Sequence, residues 1–182
     1  MARIPLIEQR NQVEPGGEAA FDLIAESRGK VAGPLAALLH SPELASRTAH
    51  LGAYIRFESG LSGEIRELAI LTVARQMDCR YEWAMHVPLA RKAGVREEAI
   101  VAIRAHRAPA GLTEDEAQIV GYVSQLLASH RVDEETYRAL EARLGVRALV
   151  ELTATAGYYG MIACTLNAFD VMPGPADERL PV

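Results

Sequence analysis

Four side chains in one short stretch of this chain can carry chemistry: Glu67, Cys79, Glu82 and His86. A thiol is a nucleophile, and an imidazole moves protons near neutral pH. A carboxylate beside an imidazole fixes its tautomer and favours its charged form. Cys79, Glu82 and His86 stand at i, i+3 and i+7, which puts them on one face of a helix. Glu67 lies twelve residues before Cys79, on a preceding helix that an antiparallel hairpin would fold back onto them. The candidate catalytic residues are therefore Glu67, Cys79 and His86, with Glu82, Tyr81 and Trp83 as supporting or substrate-binding residues. Each also has a plainer reading. Glu82 and His86 can form a surface ion pair, and Glu64, Arg66, Glu67 and Arg75 a solvated face. Tyr81 and Trp83 can be core anchors, and Cys79 a packing residue.

If Asp78 caps the second helix, Cys79 falls in its first turn, where the helix dipole favours a thiolate by about 0.3–1 kcal/mol. An ionised Glu82 one turn on opposes this by a similar amount unless His86 is protonated nearby, so no strongly activated thiol follows from the sequence alone. Glu67, Glu82 and His86 also offer three ligands of the kind that zinc or iron takes. The other histidines, His40, His50, His106 and His130, are scattered along the chain. The reading therefore assigns no metal and no cofactor.

The elements that must position these groups read as helices. Period-two alternation and Asn-Gly or Asp-Gly turns are missing. Residues 1–17 read as an irregular arm broken by Pro5 and Pro15-Gly16-Gly17, and the rest, 18–182, as a single all-α domain. A helix is expected over 18–29. Another over 42–59 is opened by Ser41-Pro42. The site hairpin is 63–77, capped by Ser62, followed by 79–93, closed by Gly94. Thr113 and Glu116 form a capping box ahead of 114–129. Segments 134–144 and 147–169 meet at Gly145. The last of these is apolar nearly all round, which marks a buried or subunit-facing helix, and Cys164 within it reads as a small buried hydrophobe. Its Glu151, Asn167, threonines and tyrosines argue against a membrane span.

Bulk properties narrow the function classes. The chain has 182 residues, 49% apolar and 24% charged, with a net charge of −5. An acidic balance gives no footprint for nucleic acid or for an anionic membrane. The first ten residues lack the apolar core of a signal peptide. Two cysteines in such a chain point to reduced thiols and a cytoplasmic location.

The run Leu61-Ser62-Gly63-Glu64-Ile65-Arg66-Glu67-Leu68, then Cys79 through His86, then Ala93-Gly94, resembles the carboxymuconolactone decarboxylase family, which shares a fold with the alkylhydroperoxidase D-like proteins. The resemblance covers about residues 44–105, with a weaker echo from Tyr158-Tyr159 to Leu166-Asn167. It implies a multi-helix bundle, a small-molecule substrate and a homo-oligomer (dimer, trimer or hexamer). In the peroxidase branch the motif is a glutamate, then Cys-x-x-Cys, then a histidine. Here Glu82 stands where the second cysteine would be, so a thiol cycle has no local resolving partner. The resemblance then favours a cofactor-independent lyase or proton-transfer enzyme for a small carboxylated, lactone-type metabolite, with Glu67 and His86 as the acid–base pair. A thiol-dependent peroxidase using Cys79, and a non-catalytic oligomeric binding protein, are the alternatives.

Overall fold

The boundaries of the helices follow the breakers in the sequence, and helices are the only extended regular elements among the described residues. The computed structural model describes residues 2–175 and 177–181. Two compact units emerge, the first formed by the chain through Ser59 together with Cys164–Met172.

In the first unit α1 (Glu18–Arg28) ends at Gly29, whose φ of 75° is the left-handed conformation that releases a chain from a helix. A short α2 (Gly33–Leu38) follows. Pro42 then opens α3 (Pro42–Ala53) at the position where its missing N–H costs nothing. Ser41 precedes it without a side-chain cap bond. The helix expected over 42–59 changes character at its end, where Tyr54–Glu58 is a π-helical turn closed by Ser59. The arm expected over the first residues is irregular but anchored. Ile7 and Val13 are buried with Ile24, Leu35, Leu39 and Ala49, and the Arg3 N–H donates to the Phe169 carbonyl at 2.8 Å.

The second unit is Gly60–Ala163 together with the segment from Pro173 onward. Its centre is α4 (Gly63–Gln76), which buries nine consecutive residues from Glu67 to Arg75. A helix covered on every face lies inside its unit, and each fully buried Leu, Ile or Val there contributes about 1.5–3 kcal/mol. Ser62 caps it by accepting the Ile65 N–H at 3.2 Å. The two ionic residues that end the buried run must be paired. Arg75 donates to Asp78 and to the Pro181 carbonyl, the latter at 2.7 Å.

Packed against α4 are α5 (Arg80–Ala93) and, further along the chain, α6 (Glu97–Arg104) and α7 (Glu114–Ser129). Gly94 ends α5 with a φ of 96°, and Thr113 with Glu116 forms the expected capping box of α7. The start of α5 is shifted from the expectation. Asp78 adopts a φ of 49° and pairs with Arg75, so Cys79 is itself the N-cap and the helix begins at Arg80. Last comes α8 (Glu134–Ala168), interrupted at Gly145, whose φ of 77° and ψ of 162° are not helical. Its residues from Cys164 onward belong to the first unit.

One expectation for this helix needs correction: Cys164 is exposed rather than buried. Val146, Val150 and Met161 are exposed as well. The apolar composition hid a one-sided pattern, because residues at these spacings share a face. Among the described residues no helix is long and apolar enough to cross a membrane.

Candidate active site

The α4–α5 hairpin brings three of the four chemical residues into one hydrogen-bonded cluster. Glu67 sits one turn into α4, at the start of its buried run. Glu82 and His86 lie one turn apart on the buried face of α5. His86 Nδ1 is 2.7 Å from Glu67 Oε2, and Nε2 is 3.3 Å from Glu82 Oε2. All three side chains are at most 7% exposed. Each imidazole nitrogen thus faces its own carboxylate, an arrangement that a protonated ring satisfies with two donated hydrogen bonds.

Burial alone pushes the His86 pKa down, but hydrogen bonds and charge from Glu67 and Glu82 outweigh it and raise the value from 6.5 to about 9. The ring is therefore an imidazolium at neutral pH. Arg66, the residue before Glu67, brings Nε to 3.8 Å from Glu67 Oε1. With His86 protonated, two cations and two carboxylates balance, which lowers the cost of keeping them out of water. The Tyr159 ring of α8 meets the imidazole edge to face, with centroids 5.1 Å apart and planes at 85°. Tyr158 stacks on Tyr159 in the same manner at 5.3 Å.

Cys79 is fully buried at the N-cap of α5, its backbone N–H donating to the Ala74 carbonyl at 2.8 Å and its carbonyl accepting from the Trp83 N–H. It is not disulfide-bonded. Trp83 is fully buried, and its indole N–H has no hydrogen-bond partner among the described residues. Tyr81 is half-buried. Among the described residues no group of His, Cys, Asp and Glu is arranged to hold a metal ion. Sequence spacing found Glu67, Glu82 and His86. It passed over Arg66 and Tyr159, although the late echo at Tyr158-Tyr159 was a signal for the second.

Residues 42–125 match the Carboxymuconolactone decarboxylase family. Over that segment the chain is similar to the family. No match was found among curated proteins. Solved structures show that the chain has the alkylhydroperoxidase D-like fold. A peroxidase-related protein with an alkylhydroperoxidase AhpD core, from Ralstonia eutropha JMP134, matches with a TM-score of 0.76 at 15% identity, covering 96% of this chain and 93% of that one. A protein from Agrobacterium tumefaciens described as a putative antioxidant defence protein AhpD matches with a TM-score of 0.68 at 21% identity, covering 75% and 95%. A cysteine-to-alanine variant of the debrominase Bmp8, in complex with 2,3,4-tribromopyrrole, matches with a TM-score of 0.74 at 17% identity, covering 97% and 95%.

Proposed function

We propose that this carboxymuconolactone decarboxylase family protein is a cofactor-independent enzyme that decarboxylates a small carboxylated, lactone-type metabolite and returns a proton to it from His86. The observation that carries this reading is the buried His86 ring held between Glu67 and Glu82, each ring nitrogen facing one carboxylate. A general acid must hold its proton at working pH and release it to a developing carbanion. As the carboxylate leaves as carbon dioxide, its bonding electrons pass into the unsaturated lactone carbonyl, forming an enolate. His86 then protonates the ring carbon, and a solvent proton restores the imidazolium. The two hydrogen bonds divide the work. The short bond from Nδ1 to Glu67 orients the ring, and the longer one from Nε2 to Glu82 is the one that breaks when the proton moves. Val146, Val150 and Met161, exposed on α8, support the expected homo-oligomer.

A thiol reading has the debrominase and the peroxidase-related neighbours in its favour. Against it stand the complete burial of Cys79 and the carboxylate of Glu82 in place of a resolving cysteine. Turnover assays separate the two. His86→Gln should lower kcat for a carboxylated lactone by about 10²–10⁴-fold, the usual reach of acid–base catalysis, while Cys79→Ser stays within a few-fold of wild type. The opposite ranking, with Cys79→Ser abolishing turnover or thiol-dependent peroxide consumption, would transfer the chemistry to the thiol.

A further inference from the structure

We propose that Arg66 binds a carboxylate of the substrate, which makes small organic anions the ligand class of the site; the inference rests on the proton-transfer reading of His86. Arg66 follows from its place on α4. It precedes Glu67, so its guanidinium lies against the cluster, 3.8 Å from Glu67 Oε1. Its side chain keeps 19% exposure, against 5–7% for Glu67, Glu82 and His86. Arg66 is thus the member of the cluster that reaches solvent.

Its bonding is also incomplete. A guanidinium has five N–H donors. Among the described residues Arg66 makes one hydrogen bond, from Nη1 to the Leu61 carbonyl at 3.5 Å, the outer limit for such a contact. The 3.8 Å approach to Glu67 is an ion contact without a hydrogen bond. Arg91 and Arg96 are bound differently, each gripping a carboxylate with two nitrogens, Glu97 and Glu116 respectively. No Arg66 nitrogen is among the buried polar atoms that lack a partner, so its spare donors are accessible. Gly63, one turn earlier, sets no side chain beside Nη2; a Cβ there would stand 3.6 Å from that nitrogen, in ordinary contact.

A planar fork of spare donors at the rim of a buried acid matches a carboxylate in both shape and charge. The cluster is balanced without a ligand, so recognition would come from these donors at close range and not from a net field. A neutral substrate would leave them to water. An anion bound there places its carbon skeleton beside the groups that hold the His86 proton.

The test measures binding, which keeps it independent of turnover. Titration calorimetry would compare the γ-carboxylate of γ-butyrolactone with its uncharged methyl ester. The wild-type protein should prefer the carboxylate. Arg66→Gln should lose about 10- to 100-fold of that preference, the range for a hydrogen bond to a charged group, with ester binding unchanged. Arg66→Lys, which keeps the charge and guards against a folding defect in the glutamine variant, should retain part of it. An unaltered carboxylate-to-ester ratio in Arg66→Gln, or no preference in wild type, would overturn the proposal and leave Arg66 a counter-ion of Glu67. Failure of the proton-transfer reading would show elsewhere, as unchanged turnover in His86→Gln.

Discussion

Glu82–His86 on α5 and Glu134–Arg138 on α8 are the same device in sequence, a carboxylate four residues ahead of a basic side chain on a helix. Their fates differ because of what surrounds them. In the α8 pair the side chains are 76% and 64% exposed, and Arg138 also reaches Glu141 at 2.7 Å. Water screens such a pair, and its worth is a few tenths of a kcal/mol. In the α5 pair both side chains are nearly enclosed, and Glu67 adds a second carboxylate from α4. There the spacing sets a protonation state and not merely a surface contact. Helical spacing thus tells which groups can meet, and burial tells whether the meeting changes their chemistry.

The largest effect that would sharpen this contrast comes from Glu67→Ala. It removes the 2.7 Å partner of His86 and leaves a buried cation short of a counter-charge. Urea unfolding should register a loss of about 3–5 kcal/mol, and the His86 pKa, followed by NMR, should fall. A loss as small as that of a surface pair would erase the distinction.

Next comes pH. Folded His86 holds its proton with a pKa of about 9 against an ordinary 6.5. The native state therefore binds more protons than the unfolded chain between these values. The stabilisation is complete below pH about 6.5 and is lost as pH rises through about 9, on the order of 3 kcal/mol in total. Denaturant midpoints measured across this window should decline in wild type and flatten in His86→Gln. A flat wild-type profile would contradict a charged, doubly bonded ring. The smallest effect belongs to Arg138→Ala, which should change stability by at most about 0.5 kcal/mol in the same assay. A cost of several kcal/mol there would show that exposure is not what separates the two pairs.

Much of the fold could be read from local signals. Ser62, the Thr113 and Glu116 box, Gly29, Gly94 and Gly145 each act within one helical turn, so the sequence shows them directly. α2 went unseen because six residues beginning Gly33-Pro34 carry too little periodicity to register. α6 did too: its eight residues hold only two turns of pattern. The offset at Cys79 turned on Asp78, whose side chain bonds Arg75 and leaves the cap position to its neighbour.

At the site, the i+3 and i+4 spacings exposed the α5 residues, and the hairpin predicted Glu67. Tyr159 arrives from a helix more than seventy positions away, a distance at which one sequence carries no geometric signal. The tail was hidden for the same reason. Glu178 binds Arg91 at 2.7 Å and approaches Arg104, while Leu180 is buried.

Trp83 is the chain's single tryptophan, fully enclosed and three residues from His86 on the same helix. Its emission therefore comes from one environment, with no second fluorophore of its kind to blur the spectrum. Protonated imidazole quenches indole more strongly than the neutral ring does. The intensity of the native protein is thus an optical reading of the neighbouring helix turn, available without a label in any titration of base, denaturant or ligand.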